Sequence, residues 1–126
     1  MSDQRRDIRV WSLASGVGRI TIGFGLLAAP KPALRALGFT EPSPATVAVG
    51  RIAGIRDLVL GAATLAALED RGRLQAATLA NAAADAGDTL AFGLALSTPE
   101  RTAGARGIAA ALPAAIAGAW ATWRLS

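Results

Sequence analysis

The chain has 126 residues, a formal net charge of +4 and no cysteine, histidine or tyrosine. Its length is that of one domain. The missing residue types exclude disulfides, thiolate nucleophiles, imidazole catalysis and the usual zinc sites. Apolar residues make up 52% of the chain, which excludes disorder, and charged residues only 17%, below the ~25% of a typical soluble domain.

The sequence pI near 11.3 raises the question of a nucleic-acid partner. Such a partner requires a stripe or patch of arginine and lysine on one face. Here the basic residues are scattered singly along the chain. We therefore expect no nucleic-acid binding.

Four long apolar stretches, at residues 11–29, 45–68, 74–97 and 103–123, dominate the chain. Each is close to the ~20 residues that cross a bilayer core as a helix, and Trp11, Trp120 and Trp123 lie at stretch ends, as at membrane interfaces. They predict a single all-α transmembrane domain over residues 1–126. Its expected architecture is an integral membrane four-helix bundle, up-down-up-down, with both termini on one side. A soluble alanine-rich bundle is the alternative, but the fourth stretch almost lacks a polar stripe.

The connections carry helix-start signals and a charge bias. Ser43 before Pro44 predicts a helix start, and the polar run at residues 69–73 predicts a tight turn between antiparallel helices. The basic residues are distributed six to four between the two sides, which favours termini in the cytoplasm and a protein integral to the cell membrane. The bias is modest, so dual topology stays open. The first group is Arg5, Arg6, Arg9, Arg71, Arg73 and Arg124, and the second is Lys31, Arg35, Arg101 and Arg106.

Ionisable residues lie near the middle of three of the predicted helices. A charged side chain there costs ~2.5–3.5 kcal/mol on insertion scales and indicates a functional site by default. Three arginines balance three aspartates in number, which predicts a paired interior network. The arginines are Arg19, Arg51 and Arg56, and the aspartates are Asp57, Asp85 and Asp88.

Helical spacing places several of these residues on shared faces. Asn81, Asp85 and Asp88 follow an i, i+4, i+7 pattern and therefore share one face of the third helix. Arg51 and Arg56 flank the face of Asp57 at ~120° and ~100°, so both cannot point where Asp57 points. One of the two arginines then serves another neighbour or a second subunit, and we expect a homo-oligomer.

The segment from Gly50 to Gly61, GRIAGIRDLVLG, resembles a G-R-x-x-G-x-R-D-L-x-L-G signature. That signature is found in a poorly characterised family of small four-helix integral membrane proteins with a domain of unknown function. Asp85 and Asp88 are similar to that family's acidic positions. The resemblance implies membrane residence and a four-helix fold, and it supplies no activity.

The first functional hypothesis is acid/base chemistry on a lipophilic small molecule, of the epoxide hydrolase, isomerase or cyclase type. Carboxylates joined by arginine can hold one acid protonated and another ionised. Asp57 would act with Asp85 or Asp88, and Arg56 or Arg51 would orient them. The expected ligand-binding residues are Arg19, Asn81 and Arg106, although Asn81 also suits a plain interhelical hydrogen bond and Arg106 suits snorkelling.

Two other functions fit the same residues. Membrane aspartates relay protons and arginine binds anions, so a small proton-coupled or anion transporter is the second hypothesis. An accessory membrane subunit, whose charges pair with another protein's helix, is the third. The expected partners are the lipid bilayer and the lipophilic ligand. We expect no cofactor, since the Gly-x-Gly pairs lie inside an apolar helix, and no metal, since arginines surround the aspartates.

Overall fold

The computed structural model describes residues 2–126, which form five α-helices. Helix α1 spans Ser2–Ala28, α2 spans Pro30–Ala36, α3 spans Pro44–Ala66, α4 spans Arg71–Ala95 and α5 spans Arg101–Leu125. The chain is therefore all-α, with four long helices and one short helix between α1 and α3.

The predicted four-helix membrane bundle is wrong. Within residues 2–126, two helices are long and apolar enough to cross a membrane: Arg6–Ala28 in α1 and Arg101–Leu125 in α5. Helix α3 carries three charged residues, and α4 carries four charged residues and two amides. Core helices of soluble proteins and signal sequences also reach this length and composition, so the two spans give weak support for membrane association.

The boundaries of α1 and α2 differ from those expected from hydropathy. Helix α1 begins at Ser2 rather than at residue 11, because its polar first turns are helical as well. Helix α1 ends at Ala28, one residue before the end of the first apolar stretch. Pro30 begins the short helix α2, since a proline at the first position of a helix needs no backbone N–H there.

The starts of α3 and α4 have capping side chains. Ser43 Oγ accepts a hydrogen bond from the Thr46 backbone N–H at 3.1 Å, as expected for a helix that begins at Pro44. Asp70 accepts from the Arg73 backbone N–H at 2.9 Å, so α4 begins at Arg71, three residues earlier than expected. Each cap satisfies a backbone donor that the first turn leaves free.

Two antiparallel helix pairs form the body of the molecule. In the α1/α3 pair, a Cβ built on Gly23 would lie 2.6 Å from the Gly54 carbonyl oxygen, and one on Gly61 would lie 2.7 Å from the Gly16 carbonyl oxygen. In the α4/α5 pair, a Cβ on Gly107 would overlap the Phe92 ring. The missing side chains allow close backbone approach within each pair, whereas contacts between the pairs are far fewer.

The two ends of the molecule are built differently. At one end, the start of α1, the α3–α4 turn and the end of α5 meet, and Ile8, Ala67 and Leu74 form a small apolar cluster. Arg71 Nε donates to the Leu125 carbonyl oxygen at 2.9 Å at this end. At the other end lies α2, which buries Pro30 and Leu34.

Polar side chains are prominent in the interior, and many large apolar side chains are exposed. The largest fully buried side chains are polar or hydroxyl-bearing: Asn81, Thr64, Thr78 and Ser12. Large apolar side chains cover the outside instead, and we call them the apolar outer surface. It comprises Val10, Leu13, Val17, Ile22, Phe24, Val49, Ile52, Ile55, Val59, Leu79, Leu90, Leu94, Leu96, Leu112, Ile116, Trp120 and Trp123.

Candidate functional site

Five charged side chains meet where the α1/α3 pair faces the α4/α5 pair. Helix α1 contributes Arg19, α3 contributes Arg56 and Asp57, and α4 contributes Asp85 and Asp88. We call these residues the Arg–Asp cluster. Successive hydrogen bonds join them in the order Asp85, Arg19, Asp57, Arg56 and Asp88.

Arg19 bridges two carboxylates that belong to different helix pairs. Its Nη1 donates to Asp57 Oδ1 at 2.8 Å, and its Nη2 donates to Asp85 Oδ1 at 2.5 Å. The planar guanidinium carries donors in a fixed fork, which suits two acceptors on opposite sides. Nη2 also donates to the Asn81 backbone oxygen at 3.3 Å. This single side chain therefore links α1, α3 and α4.

Arg56 forms the second link between the pairs. Its Nη1 and Nη2 each lie 2.7 Å from an Asp88 oxygen, in the bidentate geometry that strengthens arginine–carboxylate pairs. Nη2 lies 3.2 Å from Asp57 Oδ1 as well. Asp57 thus accepts from both arginines and occupies the centre of the cluster.

A layer of buried hydroxyl and amide groups supports the cluster on the side of the chain termini. Asn81 Nδ2 donates to Thr64 Oγ1 at 2.8 Å, and Thr64 in turn donates to the Leu60 carbonyl oxygen at 2.8 Å. Thr122 Oγ1 donates to Thr78 Oγ1 at 3.0 Å across the α4/α5 pair. Among the described residues, the buried Asn81 Oδ1 has no hydrogen-bond partner, so this amide retains one free acceptor.

Exposure increases across the cluster in one direction. The side chains of Arg19, Asp57 and Asp85 are only 9–12% exposed, whereas those of Asp88 and Arg56 are 29% and 35% exposed. The Arg56–Asp88 pair is therefore the most exposed part of the cluster.

The structure gathers most of the residues singled out from the sequence and leaves two of them outside. Asp57, Asp85, Asp88, Arg56 and Arg19 form the cluster, and Asn81 adjoins it. Two further residues, Arg51 and Arg106, are exposed. Arg106 donates to the Ala36 carbonyl oxygen at 3.2 Å, and Arg51 forms no ion pair within residues 2–126.

The expected balance of three arginines against three aspartates is therefore wrong. Arg51 points away, because it lies on the exposed side of α3, and two guanidiniums face three carboxylates. A fully ionised cluster would carry one net negative charge. Arg19, expected to bind a ligand, instead holds the bridging position that was considered for Arg56 or Arg51.

Sequence reasoning missed Thr64, Thr78 and Ser12, which are buried completely. Their small side chains carry little signal in an apolar helix. Thr78 and Asn81 have an i, i+3 spacing, which could have indicated that the polar face of α4 extends from the cluster toward the start of α4.

The cluster carboxylates lie against guanidinium groups rather than around an open cation site. Within the described part of the chain, no group of three or more acidic, histidine or cysteine side chains is arranged to hold a metal ion.

Comparison with protein-family models, with curated proteins and with solved structures finds no match to this chain. The functional interpretation therefore depends on the chemistry of the cluster itself.

Proposed function

We propose that this chain is a membrane protein that binds a lipophilic small molecule at the Arg–Asp cluster and acts on it by acid/base chemistry. The observation that carries the proposal is the bridge that Arg19 forms between Asp57 and Asp85. Neighbouring carboxylates that share a guanidinium and differ in their surroundings can serve as acid and base in one reaction.

Membrane residence is supported by the distribution of polarity. The largest fully buried side chains are polar, and large apolar side chains lie on the outer surface, which suits acyl chains rather than water as the surrounding solvent. The candidate spans are only 28% and 17% buried within the structure, whereas the core helix of a soluble protein is mostly buried. In this proposal α1 and α5 cross the bilayer, and the termini face the cytoplasm.

The charge of the cluster supports an acid and a base in the same site. Three carboxylates face two guanidiniums, and an uncompensated charge in an apolar interior is strongly unfavourable. The proposed reaction requires one carboxyl group to hold a proton while another is ionised beside its guanidinium partner. A protonated acid and an ionised base then coexist within one hydrogen-bonded chain.

Hydration of an epoxide illustrates the proposed chemistry. The ionised carboxylate takes a proton from water, the water oxygen bonds to an epoxide carbon, and the carbon–oxygen bond of the ring breaks. The protonated carboxyl gives its proton to the departing oxygen, and the product is a diol. Isomerisation or cyclisation of an epoxide or polyene uses the same acid and base without adding water.

The test uses the full chain in detergent micelles with limonene 1,2-epoxide, trans-stilbene oxide and squalene 2,3-epoxide as probes. Products are measured by mass spectrometry in ¹⁸O-water, which separates hydration from isomerisation. We expect turnover by the wild type and a loss of at least about 100-fold in Asp57→Asn and Asp85→Asn, the size of a general acid or base contribution.

Glu41→Gln is the matched control, because this exposed carboxylate lies outside the cluster. It should keep full turnover. Absence of turnover for all three probes, or full turnover in both cluster variants, would contradict the proposed chemistry.

Proton transport is a second candidate, favoured by the position of the cluster between the two helix pairs. The pairs touch each other far less than the helices within each pair do, so rearrangement of Arg19 and Arg56 could open the contact. Proteoliposomes that contain a pH-sensitive dye would show proton flux, and Asp85→Asn should abolish it. Flux without turnover would favour the transporter over the enzyme.

A further inference from the structure

The end of the molecule that carries α2 has an excess of exposed positive charge. Five basic side chains are exposed on the elements at this end, where the acidic residues are Glu41 and Glu100. Within residues 2–126, no carboxylate forms an ion pair with any of the five. We call them the α2-end basic surface: Lys31, Arg35, Arg51, Arg101 and Arg106.

The opposite end shares this property only in part. There Arg9 pairs with Glu69, and Arg73 lies 3.7 Å from an Asp70 oxygen. Three basic residues at that end form no ion pair within residues 2–126, against five at the α2 end: Arg6, Arg71 and Arg124. Paired charges attract an outside anion less than unpaired ones. The α2 end is therefore the stronger anion attractor of the two.

Packing holds α2 so that its basic side chains face outward. Pro30 and Leu34 are buried, while Lys31 and Arg35 are exposed. A Cβ built on Gly50 would lie 3.2 Å from Leu34, which places α2 directly against α3 beside Arg51. The basic positions of α2 and α3 are thus neighbours.

A second contact joins α2 to the start of α5. Gly38, at φ +102°, follows α2, and a Cβ there would lie 3.0 Å from the Ala103 backbone nitrogen. A side chain is strained at this φ, so glycine permits the close approach. Arg106 donates to the Ala36 carbonyl oxygen at the same place. The basic residues of α5 therefore adjoin those of α2.

We propose that the α2-end basic surface binds the headgroups of anionic phospholipids. The surface adjoins the apolar outer surface directly, because exposed Val49 and Ile52 flank Arg51 on α3. Cations beside apolar side chains match a lipid, which presents a phosphate next to acyl chains. The sugar–phosphate backbone of a nucleic acid presents no acyl chains beside its phosphates. This lipid site is separate from the Arg–Asp cluster and does not depend on its chemistry.

The test is calorimetric titration of the full chain, in neutral detergent, with the short-chain lipids dioctanoylphosphatidylglycerol and dioctanoylphosphatidylcholine. We expect the anionic lipid to bind at least about tenfold more tightly. Lys31→Gln/Arg35→Gln/Arg101→Gln, which removes three exposed charges without touching the Arg106 contact, should weaken binding of the anionic lipid by at least about fivefold.

Arg6→Gln/Arg73→Gln/Arg124→Gln is the matched control, since it removes the same charge from the opposite end. It should change the affinity by less than about threefold. Equal affinity for the two lipids, or equal losses in the two triple variants, would overturn the proposal. Equally tight binding of inorganic phosphate, or of a DNA duplex in place of the anionic lipid, would do so as well.

Discussion

Arg19 is the residue on which the most contacts depend. It joins Asp57, Asp85 and the Asn81 backbone, and it is almost completely buried. Removal of one partner from a buried ion pair leaves the other charge desolvated without compensation, which costs more than the pair itself contributes. Removal of Arg19 would leave two buried carboxylates, Asp57 and Asp85, without this partner.

We therefore expect Arg19→Leu to destabilise the protein by about 3–5 kcal/mol, the cost of breaking a buried pair. Thermal and denaturant unfolding of the full chain in detergent would measure the change. Arg51→Gln is the control, because Arg51 is exposed and unpaired among the described residues, and it should change stability by less than about 0.5 kcal/mol. Similar losses in the two variants would show that Arg19 is not a structural link.

The buried hydroxyl of Thr64 allows a second test at this scale. Thr64→Val keeps the shape of the side chain but deprives Asn81 Nδ2 of its acceptor, so it should cost about 1–3 kcal/mol. Thr21→Val is the matched control, since the Thr21 hydroxyl is exposed and bonds only the Val17 carbonyl oxygen. Equal unfolding midpoints for the two variants would show that the hydrogen bond between Asn81 and Thr64 does not stabilise the protein.

At the scale of the helices, glycine positions determine how closely α1 approaches α3. A Cβ on Gly23 or Gly54 would press on the backbone of the partner helix, at 2.6 Å and 2.9 Å, and backbone atoms yield less readily than a flexible side chain. Gly18 and Gly25 lie on the same helix with open space around them. Substitutions at these two kinds of glycine in α1 therefore separate the effect of close packing from that of helix propensity.

Gly23→Ala should therefore destabilise the α1/α3 pair by about 1–3 kcal/mol through overpacking. Gly18→Ala should instead stabilise the protein by up to about 1 kcal/mol, because alanine is the better helix former. The two unfolding free energies are compared under identical conditions. The same sign for both substitutions would contradict the observed packing.

The pair of Arg56 and Asp88 tests the contact between the helix pairs. A double-mutant cycle of Arg56→Ala, Asp88→Ala and the double variant should give a coupling energy of about 1 kcal/mol, since the pair is bidentate but partly exposed. The reference is the same kind of cycle for Arg56 and Glu41, two residues that form no ion pair with each other in the described part of the chain. Zero coupling would mean that the two helix pairs are held together elsewhere.

Sequence periodicity predicted part of this arrangement and failed at identifiable points. The shared face of Asn81 and Asp85 follows from the helical repeat, and both are buried. The cap at Ser43 follows from local chemistry. Periodicity could not decide which of the arginines turns inward, because that choice depends on the neighbouring helix. Hydropathy likewise could not predict that the polar first turns of α1 are helical.

At the scale of the whole molecule, the apolar outer surface makes a direct prediction about solvent. A chain with polar groups inside and large apolar groups outside should remain in the membrane fraction after a carbonate wash and require detergent for extraction. Cell fractionation and immunoblotting would show this. A chain recovered in the supernatant, monomeric and without detergent, would contradict the membrane interpretation.

The direct backbone contacts within each helix pair also bear on how the chain assembles. Helices α1 and α3 can meet while the ribosome is still adding α4, since every residue of their glycine contacts precedes Arg71. The α4–α5 hairpin closes afterwards through a short loop, which is a fast, local event. The ion pairs of Arg19 with Asp85 and of Arg56 with Asp88 can form only when the two helix pairs have docked. Docking therefore completes the Arg–Asp cluster. We therefore expect docking of the halves, rather than formation of any single helix, to be the late step in maturation of the protein.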